Sequence, residues 1–396
     1  MTAAIVGIGS ALPERAVPNS HFAAIGSSDE WIVKRTGIRQ RHFLAEDGHL
    51  ADLALAASRI ALARAGRTAR DVGHVVVATT TPDRTTPGLA VEVAARLGAD
   101  RAAAFDLHAA CAGFVYALDH AVALIESGRA GTVLVCGAEA LTRITDHEDR
   151  STAVLLGDGA GAVVVTDVDT AGAPEPAFRL GSDGDLIPLL YADRFDRKLR
   201  MDGPEIFVQA VERMSEAARD VLARRELTTE DVDLFVAHQA NARIVRAVGK
   251  ELGVPPERLY LNVDRVANTS SASIPLALHQ AWQEGRLGRK GLLGVAAFGA
   301  GVTWGAGVIG WHLTEPEADP LTDREADPVT DAEADLLTDR EADPVTDREA
   351  DPVTDPEADP VTDPEADPVT DPEADPVTDP EADPVTAPEA DPVEAG

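Results

Sequence analysis

At 396 residues with 44% hydrophobic content, the chain is long enough to bury a large core. Two cysteines exclude a disulfide framework, a formal net charge of −33 argues against a nucleic-acid-binding surface, and no apolar run approaches the roughly 18 residues needed to cross a bilayer. The charge is unevenly placed. From Glu315 to Glu394 the sequence runs through octads of the form DPVTDPEA, with 30 acidic residues against Arg324, Arg340 and Arg348. That stretch holds −27 and leaves −6 for the body. Its prolines, like charges and lack of aromatic residues predict a disordered, extended tail over residues 314–396.

The N-terminus lacks a basic leader and is broken by glycines and Pro13, so residues 3–8 read as a first strand rather than a signal peptide. Two unpaired cysteines and no leader fit a reducing cytoplasm. Residues 29–37 read as a short helix that puts Trp31 and Arg35 on one face. This is either an amphipathic surface helix or an aromatic plane beside a guanidinium, suited to stacking a base and pairing a phosphate. Residues 51–65 follow as a helix, 75–79 as a strand and 80–87 as a polar, proline-marked loop.

In the stretch FDLHAACAGFVYALDHAVALIESG, Phe114, Ala117, Leu118, Ala121, Val122 and Ile125 recur at three- and four-residue steps and Gly128 closes the pattern. The helix so predicted starts at Cys111. The thiol is then either a small buried hydrophobe or a nucleophile whose pKa the helix N-terminus lowers. A strand at 132–137 precedes RSTAVLLGDGAGAVVVT, whose glycines are followed by a strand where a phosphate-binding helix would start, so a dinucleotide site is rejected. Residues 171–203 are rich in Pro and Gly and read as a junction between halves of 1–170 and 171–313.

The second half repeats the first. A helix at 205–225 leads to a strand at 234–237, and His238 then opens the helical segment NARIVRAVGKEL. Residues 263–273 form a polar loop into a helix at 274–284, and 292–309 form two strands around a glycine turn. Alternating strands and helices predict mostly parallel sheets with ligands at the strands' carboxyl ends.

Over residues 1–313 the chain resembles the β-ketoacyl-ACP synthase III family of the thiolase fold. The resemblance rests on SSDEWIVKRTGIRQRH, AACAGFVYAL, GDGAGA, HQANARI, NTSSASIP and AFGAGVTWG. It implies an α/β, five-layered αβαβα architecture from two pseudo-duplicated halves, acting as a homodimer. It also implies Cys111 as nucleophile, His238 and Asn268 as its partners, and the backbone N–H groups of Cys111 and Ala300 as the oxyanion hole.

The same resemblance places acyl-CoA against Trp31, Arg35, Arg150, Gly203, Phe207, Asn241 and Phe298, with Pro204 departing from the commonest pattern. It places acyl carrier protein against Gln239, Ala240, Asn241, Ala242 and Arg243, a surface that Arg246 and Lys250 extend as a basic stripe. Thr86, contributed by the partner subunit, would gate the acyl pocket. The implied reaction is decarboxylative condensation of an acyl-CoA starter with malonyl-ACP, without metal or redox cofactor. Two other readings stay open at this level: transfer of the acyl group to a hydroxyl or amine, and a scaffold role for the acidic tail.

Overall fold

The computed structural model describes residues 2–169 and 174–313, so the acidic repeat tail lies outside the described residues. In chain order the first half contains β1 (Thr2–Ala11), β2 (Ala16–Pro18), α1 (Asp29–Thr36), β3 (Gln40–His42), α2 (Leu50–Arg64), β4 (His74–Ala78), α3 (Leu89–Leu97), β5 (Ala103–Leu107), α4 (Gly113–Glu126), β6 (Thr132–Ala140) and β7 (Asp158–Val168). The second contains β8 (Ala177–Ser182), β9 (Leu190–Ala192), β10 (Leu199–Met201), α5 (Gly203–Arg224), β11 (Leu234–Ala237), α6 (Ala242–Leu252), α7 (Val263–Val266), α8 (Ser273–Gln283), β12 (Lys290–Gly299) and β13 (Thr303–His312).

Strand order shows the duplication. In the first half β1, β7, β6 and β4 lie side by side, with antiparallel, antiparallel and parallel pairings. In the second half β8, β13, β12 and β11 repeat that order and those directions. β5 extends the first set in parallel beyond β4, and a single parallel bridge between Phe235 and Leu259 stands in its place beyond β11. The sheets are therefore mixed, not mostly parallel. β6 and β7 follow one another without an α-helix between them, as do β12 and β13, and such a return runs antiparallel.

The layers follow from which face each side chain buries. Along β4, Val76 and Ala78 point into the core shared with α4 and α8, while Val75 and Val77 point into the core shared with α2 and α3. The central core also takes Leu234, Val236, Val295 and Ile309 from the second set of strands, whose far face packs on α5 and α6 through Ala218, Val221, Val245 and Val248. The result is helix, sheet, helix, sheet, helix. Strands covered on both faces read as near-continuous apolar runs, as in all of β6.

Two further departures from the sequence reading concern the 171–203 segment and α3. The former is not a plain junction: β8 joins the sheet, and β9 and β10 pair as a hairpin. α3 was hidden behind the preceding loop; its N-terminal amides Leu89 and Ala90 are capped by Asp106 at 2.7 Å each.

Gly161, inside the GDGAGA run, sits on β7 beneath α8, where a Cβ would lie 2.7 Å from the Leu276 nitrogen and 2.8 Å from the Pro275 carbonyl carbon. The glycine serves close helix–sheet packing. Gly161→Ala is expected to cost about 1–3 kcal/mol, the usual range for overpacking, and to lower the thermal midpoint; an unchanged midpoint would mean that α8 steps back freely.

Candidate active site

Two strand-to-helix corners, one from each half, meet at the central layer. In the first, β5 runs into a single 3-10 turn, Ala110–Ala112, that continues as α4, and Ala110 takes the left-handed conformation with φ +45°. Cys111 sits at the crest of this turn, just before the helix proper. In the second, β11 ends at Ala237 and His238 follows; α6 starts only at Ala242, capped by the Asn241 side chain. His238 therefore leaves the strand rather than opening the helix.

The third element is the segment between α7 and α8. Two of its residues, Ala267 and Ser270, have φ of +60° and +50°, uncommon for non-glycine residues. Between them, Asn268 is held by both backbone groups, its N–H donating to Leu155 O and its carbonyl accepting from Gly157 N–H, each at 2.9 Å. The expected polar loop is buried, with Thr269, Ser270, Ser271 and Ser273 nearly inaccessible.

The three side chains line one cavity of about 1900 Å³. Gly299 makes the approach possible, since a Cβ there would lie 2.6 Å from the Cys111 nitrogen. Ala300, next in the chain, lines the same cavity, and Thr303 Oγ1 donates to Ala109 O at 2.9 Å, tying the β12–β13 turn to the nucleophile corner.

Burial overrides the expected effect of the helix terminus on Cys111. The thiol is pushed up to about 12 by desolvation, helped by the nearby Glu139 carboxylate and opposed by a hydrogen bond from Ser270. The free protein thus holds a thiol, not a thiolate. Cys136, also unbonded, is pushed to about 12 in the core between α2 and the sheet, where it is a small hydrophobe. Desolvation lowers His238 from its ordinary 6.5 to about 4, so its imidazole is neutral at physiological pH. Ser273 Oγ accepts from Gln239 N–H and lies 2.7 Å from His238 Nδ1. In the tautomer where the hydroxyl donates to Nδ1, Nε2–H is left as a donor. Asn268 Oδ1 accepts from Ser270 N–H at 2.9 Å, which leaves its Nδ2 hydrogens for the cavity.

Around the mouth, Arg35, Gly203, Pro204, Phe207, Ala240, Asn241, Arg243 and Phe298 line the cavity. Pro204 occupies the first turn of α5, where its missing N–H costs nothing. Trp31 is stacked on by two guanidinium groups, Arg35 at 4.4 Å and Arg150 at 4.3 Å. Arg243, Arg246 and Lys250 are exposed along α6.

Two expected carrier-protein contacts are corrected. Gln239 is fully buried, bonding Ala237 O, Tyr260 O and Asn262 N–H, and Ala242 is buried against Gly37. Thr86 lines the cavity of its own chain, alongside Thr80, Thr81 and Thr85. Sequence reasoning missed Glu139, Ser270 and Ser273; the signal for Glu139 was a lone carboxylate in the otherwise apolar run TVLVCGAEA.

Known proteins bear on this site directly. Residues 105–184 match the family described as 3-oxoacyl-[acyl-carrier-protein (ACP)] synthase III, and residues 222–311 match its C-terminal part. A β-ketoacyl-[acyl-carrier-protein] synthase III from Rhizorhabdus wittichii is 46% identical over 314 residues, covering 78% of this chain and 98% of that protein. The crystal structure of the 3-oxoacyl-(acyl carrier protein) synthase III of Pseudomonas aeruginosa PAO1 is 45% identical with a TM-score of 0.75, covering 80% of this chain and all of that one. The priming β-ketosynthase of the R1128 polyketide pathway is 37% identical with the same TM-score, covering 79% and 97%. Since the alignments run through both reactive corners and nearly the full length of these relatives, the chain belongs to the β-ketoacyl-[acyl-carrier-protein] synthase III family of acyl-transferring condensing enzymes.

Proposed function

We propose that Cys111 accepts an acyl group from acyl-CoA and passes it to the carbanion formed by decarboxylation of malonyl-ACP, releasing a 3-oxoacyl-ACP. The observation that carries this reading is the meeting of Cys111, a neutral His238 and Asn268 in one cavity. In the first half-reaction the sulfur attacks the thioester carbonyl, the Cys111 and Ala300 N–H groups receive the oxyanion, and the thiol proton departs with CoA. In the second, loss of CO₂ leaves an enolate oxygen, for which neutral donors such as His238 Nε2–H and Asn268 Nδ2–H are suited. An acyltransferase that moved the group to a hydroxyl or amine would form no enolate and so have no use for this pair. The steps require no metal or redox cofactor.

CoA would lie with its adenine against Trp31, replacing one of the two stacked guanidinium groups, and its pantetheine past Gly203, Phe207, Asn241 and Phe298. The exposed Arg243, Arg246 and Lys250 would meet the acidic carrier protein and steer its approach. A cytoplasmic homodimer fits the family reading; no helix among the described residues is long and apolar enough to cross a membrane.

Mass spectrometry of the intact protein after incubation with a panel of acyl-CoAs is the direct test. A single acyl adduct is expected, lost in Cys111→Ala; persistence of the adduct, or its transfer to Cys136, would sink the mechanism. His238→Ala and Asn268→Ala should keep the adduct and lose malonyl-ACP decarboxylation by at least about 100-fold, the usual scale for removing a preorganised donor.

A pH profile follows from His238. Its folded pKa lies below its ordinary value, so the stability contributed by the neutral ring is complete above 6.5 and is lost as pH falls toward about 4. Decarboxylation should accordingly stay flat from roughly pH 7 to 5; a midpoint near 6.5 would show that the ring titrates freely. For the gate, Thr86→Phe should shift preference to acetyl-CoA, because each methylene excluded forfeits about 0.8 kcal/mol of burial. An unchanged acyl-CoA profile would rule the gate out.

A further inference from the structure

Strand β3 carries a buried cation that no step of the reaction uses. Arg41, in its middle, is wholly inaccessible and lies over the Phe22 ring at 4.6 Å, and among the described residues no carboxylate pairs with it. A guanidinium buried without a counter-ion is costly unless neutral acceptors take its protons. Arg41 has three such acceptors, on two sides. Nη1 donates to Asn19 Oδ1 at 2.7 Å and to Val17 O at 3.3 Å, and Nη2 donates to Val154 O at 2.6 Å. The near side is itself clamped to α1, because Asn19 Nδ2 donates to Asp29 Oδ1 and to Ile38 O, each at 2.8 Å.

The far side leads to the site. Val154 begins the short run 154–157 from which Asn268 hangs: Leu155 O accepts from Asn268 N–H, Gly157 N–H donates to Asn268 O, and Leu156 pairs with Asn268 as a parallel bridge. Contact here is close, since a Cβ on Gly157 would lie 3.0 Å from Arg41 Cβ and 2.8 Å from Val266 O. β3 grips the neighbouring segment too, Arg39 N–H donating to Asp264 O at 2.9 Å in α7. Ala267, just before Asn268, has a φ of +60°, a conformation that surrounding bonds must maintain. We propose that Arg41 is a positioning residue for Asn268, holding the 154–157 run and thereby setting where the carboxamide stands in the cavity. The inference rests on Asn268 serving malonyl-ACP decarboxylation.

A guanidinium suits this task because its planar fork presents donors in two fixed directions, so the two sides are set relative to each other. A lysine ammonium in its place is a single point on a flexible stem. The blander role for Arg41, welding residues 17–43 to the rest of the body, uses the same bonds but has a different consequence. Welding affects how many molecules are folded and leaves Asn268 in place in each of them. Positioning makes Arg41 and Asn268 act as one unit, and residues that do so are not additive. The other two reactive side chains are held by separate contacts, the Cys111 corner through Thr303 and Ala109 O, and His238 through Ser273. Acylation of Cys111 is therefore insulated from Arg41.

The test is a double-mutant cycle in the full-length protein, with rates expressed per acylatable Cys111 so that unfolded molecules drop out. Arg41→Lys should lower kcat for malonyl-ACP decarboxylation about tenfold or more, the scale on which small misplacements act, with little change in KM and with Cys111 acylation retained. In an Asn268→Ala background the same Arg41→Lys change should cost less than about twofold, because the carboxamide it would misplace is gone. Equal losses in the two backgrounds, or wild-type decarboxylation in Arg41→Lys, would overturn the proposal. Leu62→Ala, in the core between α2 and the sheet, serves as control: it should lower the thermal midpoint and keep the rate per site. Should Arg41→Lys fail to fold, Asn19→Ala, which frees the near side of the fork, takes its place in the cycle with the same two expectations. A wild-type rate in Asn268→Ala would instead sink the decarboxylation reading, whereas a loss there with none in Arg41→Lys would leave that reading standing and remove the anchor alone.

Discussion

Everything at the site depends on backbone from one half touching backbone from the other with no side chain between them. Gly299 brings β12 against the Cys111 amide, and Gly137 brings β6 against the Ser271 carbonyl, which a Cβ would overlap. Only hydrogen fits at such contacts. The duplicated sheets allow them, because both face the same central helices α4 and α8, so their carboxyl-end corners open toward one another. The cavity is the space left where those corners fail to close.

Within that space burial governs the electrostatics. A helix start ordinarily favours a thiolate by tenths of a kcal/mol up to about 2 kcal/mol. Removing a sulfur anion from water costs more, and the Cys111 thiol accordingly stays protonated. The same desolvation keeps His238 neutral, turning a common base into a hydrogen-bond donor. Both residues are thus held uncharged until a substrate supplies the charge they are arranged to receive, as electrostatic preorganisation requires.

Much of this was legible in the sequence. The helix after Cys111 announced itself by the spacing of Phe114, Leu118, Ala121 and Ile125, all buried in the central core. Strand β11 was delimited by a compact apolar run, and the glycines of β7 were rightly refused a nucleotide because no helix followed them. What escaped were features created only by long-range pairing. β8, with the sequence AFRLGS, offers only Phe178 and Leu180 as an apolar alternation, too short to read as a strand until β13 gives it an edge. Gln239, in a stretch that looks like surface, is buried because Tyr260 O and Asn262 N–H, 21 and 23 residues on, reach its amide together with the neighbouring Ala237 O. Glu139 is invisible as a hub until Thr80 and Ser270, 59 and 131 residues away, are brought to it.

The register of β1 has a bearing on how the protein is made. β1 pairs with β7 along most of its length, yet its other neighbour is β13, the last element of the body, through Ala4 with Gly310 and Ile5 with Trp311. The helix α4 likewise needs Leu293, Val295 and Ile309 as its second wall. During synthesis, an N-terminal half emerging at about 5–20 residues per second would wait many seconds with that helix covered on one side only. The two halves therefore cannot mature as independent units despite their matching strand order. The nascent chain must carry an exposed apolar helix until its final strands leave the ribosome, which makes the arrival of β12 and β13 the step that commits the molecule to its native state.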